Sequence, residues 1–292
     1  MPRIALMGEF SAGKSTLANL MIGTNHLPEQ VIATQLPPVW VTWGDSEPVL
    51  VGLDGTEKEC DLKNPGSIPS EGTAYIRVCC REEILKHCDI LDLPGISDPN
   101  MSSDVWERVL PLADGVVWCS PATQAWRQSE AAVWKSLPEE LHARSLLLLT
   151  RGDMLATQRD KARVLRRVTA ETQDVFADTL MISLLQARDS GDDETLWEES
   201  GADQFVARFL EIVGSLREEI AARGELPDDQ PLPVGLASYE ADPEVGEPEL
   251  LYTAAEGSVT PRRPVTSGQR VVRPARPDPD EDDEVSFAPK FS

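Results

Sequence analysis

Up to about residue 223 the apolar positions of the chain follow one of two periods, and beyond it they follow neither. The runs RIALMG (3–8), PVWVTWG (38–44), PVLVGL (48–53), TAYIRVCC (73–80), CDILDLPG (88–95), DGVVWCS (114–120) and RSLLLLT (144–150) have the length and apolar content of strands. DGVVWCS and RSLLLLT are apolar at every central position, the pattern of strands covered on both faces by helices. PVWVTWG and PVLVGL are expected to be neighbouring strands joined around Gly44 and Asp45. Helical spacing marks KSTLANLMIG, SEAAVWKSLP, DKARVLRRVTAETQDVF and ADQFVARFLEIVGSLREEIAARG. In the last of these Phe205, Phe209, Ile212, Leu216 and Ile220 fall on one face. Strands alternating with helices predict an α/β fold with an open, mostly parallel sheet flanked by helices.

Composition divides the chain in the same place. Residues 225–292 hold 11 prolines, 15 acids and 6 bases, a net charge of −9. So little apolar surface cannot offset the ordering entropy, so residues 224–292 are expected to be a disordered acidic, proline-rich tail after a folded unit of residues 1–223. The whole chain carries 50 acids against 27 bases, a charge of −23, which repels nucleic-acid phosphates and anionic lipid. No nucleic-acid partner is expected. Cys60, Cys79, Cys80, Cys88 and Cys119 form no metal-binding spacing and no disulfide framework, and are expected to be reduced filler. The start, MPRIALMGEF, has no signal-peptide pattern, and no window is long and apolar enough to span a bilayer. These features together predict a soluble cytoplasmic protein.

Chemistry enters at the end of the first strand. Gly8-x-x-x-x-Gly13-Lys14-Ser15 matches the phosphate-binding loop, or P-loop, placed between a buried strand and a helix. Glycine lets successive N–H groups turn inward on a phosphate chain, and the helix adds its positive N-terminal end. Lys14 can reach the outer phosphates, and the Ser15 hydroxyl can enter a Mg²⁺ shell. The loop by itself does not separate ATP from GTP.

GEFSAGKSTLANLMIG closely resembles the P-loop of bacterial dynamin-like GTPases, and the stretches that follow it resemble that family in order and spacing over residues 3–190. LPEQVIATQLPPVWVTWG is similar to the family's first switch, DILDLPGI to its second, LLLLTRGDML to its base-reading motif and MISLLQA to its final base-supporting loop. The resemblance implies a P-loop NTPase fold, GTP or GDP as ligand and Mg²⁺ as cofactor. It places Gly8, Glu9, Ser11, Ala12, Gly13, Lys14, Ser15 and Thr16 around the phosphates, with Ser11 and Lys14 serving catalysis. Thr34 would close on Mg²⁺ and the γ-phosphate, Asp92 would hold Mg²⁺ through water, and the Gly95 N–H would meet the γ-phosphate. Thr150, Arg151 and a buried Asp153 would read guanine, with Ser183 and Leu184 giving backbone contacts beside the base.

Two positions depart from the family pattern. Arg151 stands where the base-reading motif has lysine, and Phe10 stands where other dynamins have a polar residue that helps the transition state. A slow basal rate, raised by homo- or hetero-dimerisation across the nucleotide face, is the expectation. Full-length dynamins follow this domain with long helical stalks. Here one strong helix, about 202–222, precedes the tail, so direct membrane binding is not expected of the chain alone and a partner, such as a longer dynamin-like protein, would supply the rest. Arg159, Lys161, Arg163, Arg166 and Arg167 gather on the helix predicted over 156–173, and Phe287 and Phe291 follow an acidic run in the tail. Either feature could dock a partner, or simply face water. Besides a GTPase, two readings remain: a GTP-gated interaction module with little hydrolysis, and a Ras-like or ribosome-associated GTPase.

Overall fold

The computed structural model describes residues 1–23, 37–62, 68–69, 72–97 and 104–224. The expected tail, Thr34 and most of the first-switch stretch lie outside the described residues.

Among the described residues nine strands form one sheet: β1 (Arg3–Gly8), β2 (Val39–Trp43), β3 (Val49–Gly52), β4 (Glu57–Glu59), β5 (Thr73–Cys80), β6 (Asp89–Asp92), β7 (Gly115–Pro121), β8 (Leu146–Thr150) and β9 (Asp178–Met181), in the order β4-β3-β5-β2-β6-β1-β7-β8-β9. Pairings β1–β6, β1–β7, β2–β5, β7–β8 and β8–β9 are parallel, while β2–β6, β3–β4 and β3–β5 are antiparallel. The sheet is mostly parallel, as expected. The helices are α1 (Lys14–Ile22), α2 (Asp104–Glu107), α3 (Gln128–Lys135), α4 (Gln158–Thr172), α5 (Leu184–Asp189), α6 (Glu194–Ser200) and α7 (Ala202–Ala222).

Strand alternation explains the two layers. Ile4 and Leu6 of β1, Val117 and Cys119 of β7, and Leu146 and Leu148 of β8 face one core, shared with Leu17 of α1 and Phe205, Phe209, Val213 and Leu216 of α7. Their neighbours Ala5, Met7, Val116, Trp118, Leu147 and Leu149 face the other, shared with Trp134 of α3 and Val168 of α4. Each such side chain taken from water contributes about 1.5–3 kcal/mol, so both faces must be covered. In that second layer Trp134 stacks on Phe176 at 4.1 Å and meets Trp118 edge-on at 5.5 Å. On α7 it is Val213, rather than the expected Ile212, that enters the core, with Ile212 packed at its margin.

One expectation fails. β2 and β3 are not neighbours, because β5 lies between them, parallel to β2 and antiparallel to β3. Side chains fix β2 elsewhere: the Trp40 indole donates to Asp89 on β6 at 3.0 Å and the Thr42 hydroxyl at 2.7 Å, while Trp40 packs on Tyr75 of β5 at 5.2 Å. The five cysteines are free thiols, four of them buried. Burial pushes Cys80, Cys88 and Cys119 up to about 12, which leaves them protonated packing groups. Among the described residues no helix is long and apolar enough to cross a membrane.

Candidate functional site

The site lies where β1, β6, β8 and β9 run into loops at one edge of the sheet. β1 ends at Gly8, with φ +139°, and a Cβ there would lie 2.1 Å from the Cys119 carbonyl oxygen on β7. Only glycine fits that approach. Gly13 has φ +94° and leads into α1, whose start receives no side-chain cap. The first-turn amides, including those of Ser15 and Thr16, therefore form an uncapped helix N-terminus beside the loop, an arrangement suited to an anion. Lys14 is only 6% exposed, and its ammonium donates to the carbonyls of Gly8 at 3.2 Å and Glu9 at 2.9 Å. The cation is thus held inside the loop.

Asp92, at the end of β6, accepts from the Ser15 hydroxyl through Oδ2 at 3.4 Å. Its other oxygen, Oδ1, is buried and has no partner. Burial pushes the Asp92 carboxyl up to about 6, against the opposing pull of Lys14 and Ser15. A buried, underpartnered carboxylate beside a hydroxyl is a set of hard oxygen donors, and it fits Mg²⁺. The fit rests on Ser15 and Asp92, since Thr34 is outside the described residues.

The second-switch stretch closes against the P-loop backbone. Ile96 N–H donates to the Gly8 carbonyl at 3.1 Å and Phe10 N–H donates to the Ser97 hydroxyl at 3.2 Å. A Cβ at Gly95 would sit 2.7 Å from Phe10 Cα and 2.8 Å from Phe10 N, so the close approach requires glycine. The Phe10 ring itself is 62% exposed.

At the other side, the base-reading stretch is tied to the same loop. The Thr150 hydroxyl donates to the Ala12 carbonyl at 2.6 Å, and Arg151 Nη2 donates to the Ser11 carbonyl at 2.6 Å. Ser11 and Arg151 both have φ +57°. Arginine in the lysine position therefore still bridges to the phosphate loop. The Ser183 hydroxyl donates to Asp153 Oδ1 at 2.8 Å, which orients the carboxylate.

Two readings need correction. Asp153 is exposed rather than buried. Ser183 offers no free backbone group, because its N–H donates to the Ser200 carbonyl at 2.8 Å and its carbonyl accepts from Ala187 at 2.9 Å. Its hydroxyl is the group turned to Asp153. Leu184 begins α5, and its buried side chain packs under Gly13, 3.1 Å from where a Cβ would be. The Glu9 carbonyl faces Lys14, while its carboxylate is turned away and engaged by Arg127 and Ser129 at the start of α3. Those two residues went unread in the sequence, since nothing in the spacing links positions 118 and 120 apart.

Comparison with known proteins adds the family. The chain is 22% identical over 196 residues to Dynamin-like protein 2 of Campylobacter jejuni, covering 64% of this chain and 31% of that one. It is 22% identical over 174 residues to the Probable transmembrane GTPase FZO-like, chloroplastic, of Arabidopsis thaliana, covering 59% and 17%. It therefore spans a third or less of the curated relatives it matches. A structure from an oligomerised bacterial dynamin pair, described as a mechanism for the long range sensing and tethering of membranes, superposes with a TM-score of 0.57 at 18% identity, over 77% of this chain and 41% of that one; a second reaches 0.53. The model of the Dynamin family matches residues 4–151, a stretch that runs from β1 through the P-loop and the Asp92 loop to Arg151, and the chain belongs to that family.

Proposed function

We propose that the chain is a Mg²⁺-dependent GTP-binding protein that hydrolyses GTP to GDP and phosphate, with residues 1–223 as the nucleotide-binding unit. The observation that carries this reading is the buried Lys14 ammonium inside an uncapped helix N-terminus, next to the unpartnered Asp92 Oδ1. On phosphate entry Lys14 exchanges the Gly8 and Glu9 carbonyls for phosphate oxygens, a charge-assisted contact. Bound Mg²⁺ would neutralise charge on the outer phosphates, held by Ser15 and Asp92, with Thr34 proposed to close the shell. Asp153, oriented by Ser183, accepts from the guanine edge, which adenine cannot supply. Ser11 and the Gly95 amide are proposed to position the γ-phosphate and the attacking water.

A second reading has its own observation. Phe10 presents an exposed ring, and its N–H is already used by Ser97, so residue 10 offers no donor to a transition state. That supports slow turnover, and at the extreme a GTP-gated interaction module. Single-turnover phosphate release at high protein concentration separates the two. Phe10 after β1, Met154 after β8 and Leu185 in the first turn of α5 are exposed apolar side chains, which supports pairing of two chains across the nucleotide face. Arg159, Lys161 and Arg166 on α4 support docking of an acidic partner that brings the chain to a membrane from the cytoplasm. The free thiols support a reducing compartment.

Calorimetry with Mg²⁺ tests the core of the reading. GTP should bind at least about tenfold more tightly than ATP, a difference of about 1.4 kcal/mol. Lys14→Ala should give no heat with GTP; near wild-type affinity in that variant refutes the site.

A further inference from the structure

Glu9 makes two sets of contacts that meet in one residue. Its carbonyl accepts from the Lys14 ammonium at 2.9 Å and from the Ala12 N–H at 3.2 Å. Its carboxylate, on a residue 9% exposed, reaches α3: Oε2 accepts from Arg127 Nη1 at 2.7 Å and Oε1 accepts from the Ser129 hydroxyl at 2.8 Å.

The first turn of α3 is itself fixed from the core. The buried Glu130 carboxylate accepts from the Trp118 indole at 3.0 Å, the Ser120 hydroxyl at 3.0 Å and the Arg127 N–H at 2.9 Å. Trp126, just before, has φ +58°, a conformation bulky residues rarely adopt. It is held there because its N–H donates to Ser120 at 3.1 Å and its ring meets Trp118 and Phe176 edge-on. Arg167 of α4 adds a donor to the neighbouring Ala125 carbonyl at 3.0 Å. Such backbone persists only where the surroundings over-determine it, and it concentrates at functional sites.

We propose that Glu9 is a positioning residue and that Arg127 holds it: the start of α3 sets the carbonyl that seats Lys14, and the Arg127 charge keeps the Glu9 carboxylate away from the phosphates. This rests on the nucleotide reading above. Without Arg127 a poorly solvated carboxylate loses its cation, and the Lys14 ammonium, already bound to the carbonyl of the same residue at 2.9 Å, is a cation it can turn to. A carboxylate there opposes a triphosphate. Removing the Glu9 charge at the same time removes the opposition.

The test is a cycle of variants in the full chain, read by calorimetry with GTP and Mg²⁺ and by the melting temperature of the nucleotide-free protein. Arg127→Ala should weaken GTP about tenfold, Arg127→Lys less than about threefold, and Glu9→Gln with Arg127→Ala should fall within about threefold of Glu9→Gln alone. Ser129→Ala, a milder change, should weaken GTP about twofold to threefold with no loss of folding. A purely structural pair would instead lower the melting temperature of the nucleotide-free protein, with Glu9→Gln alone weakening GTP as much as Arg127→Ala does. Equal GTP binding by wild type and Arg127→Ala, or a double variant weaker than both singles, overturns the proposal alone. A wild-type chain that binds no guanine nucleotide overturns the site reading and this inference with it.

Discussion

Gly95→Ala tests whether the second switch is seated on the phosphate loop by backbone contact. The added methyl would lie 2.7 Å from Phe10 Cα and 2.8 Å from Phe10 N. Carbon contacts are comfortable at about 3.5–4.0 Å, so one segment must withdraw by about 1 Å. Neither obstacle is the end of a flexible side chain; both are loop backbone. Withdrawal stretches the Ile96–Gly8 and Phe10–Ser97 hydrogen bonds together. Two bonds at about 0.5–1.5 kcal/mol each give a loss of about 1–3 kcal/mol. For a folded unit of this size that lowers the melting temperature by roughly 2–12 °C. Misplacing a group by about 1 Å can also cost about 10²-fold in rate, so single-turnover phosphate release should fall toward that limit. Differential scanning fluorimetry of the nucleotide-free protein and a phosphate-release assay read the two effects separately. A variant with wild-type melting temperature and wild-type release would show that the seat is not rigid, and the reasoning fails.

Asp153→Asn should weaken GTP by at least about tenfold and shift preference toward xanthine nucleotides, measured by competition binding; an unchanged base preference counts against the guanine reading. Trp134→Ala removes a fully buried ring stacked on Phe176 and should cost about 3–5 kcal/mol, read from the denaturant midpoint. Burial, with added repulsion from Glu9, raises the Glu130 carboxyl above its ordinary 4.5, despite hydrogen bonds from Arg127, Trp118 and Ser120. An acid raised on folding stabilises below its unfolded pKa and loses that contribution as pH rises through the folded value. Wild type should therefore lose stability relative to Glu130→Gln as pH rises from 4.5, and a constant offset between the two melting curves would contradict this.

The sequence exposed what is local and hid what is distant. Seven strands were legible because apolar residues fill or alternate along them. β4 (Glu57–Glu59) was not, because a polar edge strand buries almost nothing, and β9 was too short to show a period. Adjacency misled at β2 and β3, where β5 enters from further along the chain and pairs with both. The P-loop was legible because its backbone requirements sit within eight residues. Ser183 was misassigned because its amide is taken by Ser200, seventeen residues on, and that depends on how α6 packs. Arg127 carried no local signal, having its partner on another strand end.

That last class of contact decides how the loop is held. A trans peptide points its carbonyl and the following N–H in opposite directions, so pinning a carbonyl aims an amide. Thr150 pins the Ala12 carbonyl, which turns the Gly13 N–H away from Thr150 and off β8. Arg151 pins the Ser11 carbonyl in the same way, Ser97 takes the Phe10 N–H, and Arg127 with Ser129 holds Glu9. Residues 9, 10, 11 and 12 are thus each fixed by a side chain from elsewhere on the sheet edge or its neighbouring helix. Two of those side chains, Thr150 and Arg151, belong to the base-reading stretch. Any shift of that stretch must move the Ser11 and Ala12 carbonyls, so under the proposed function base and phosphate recognition would be mechanically one event.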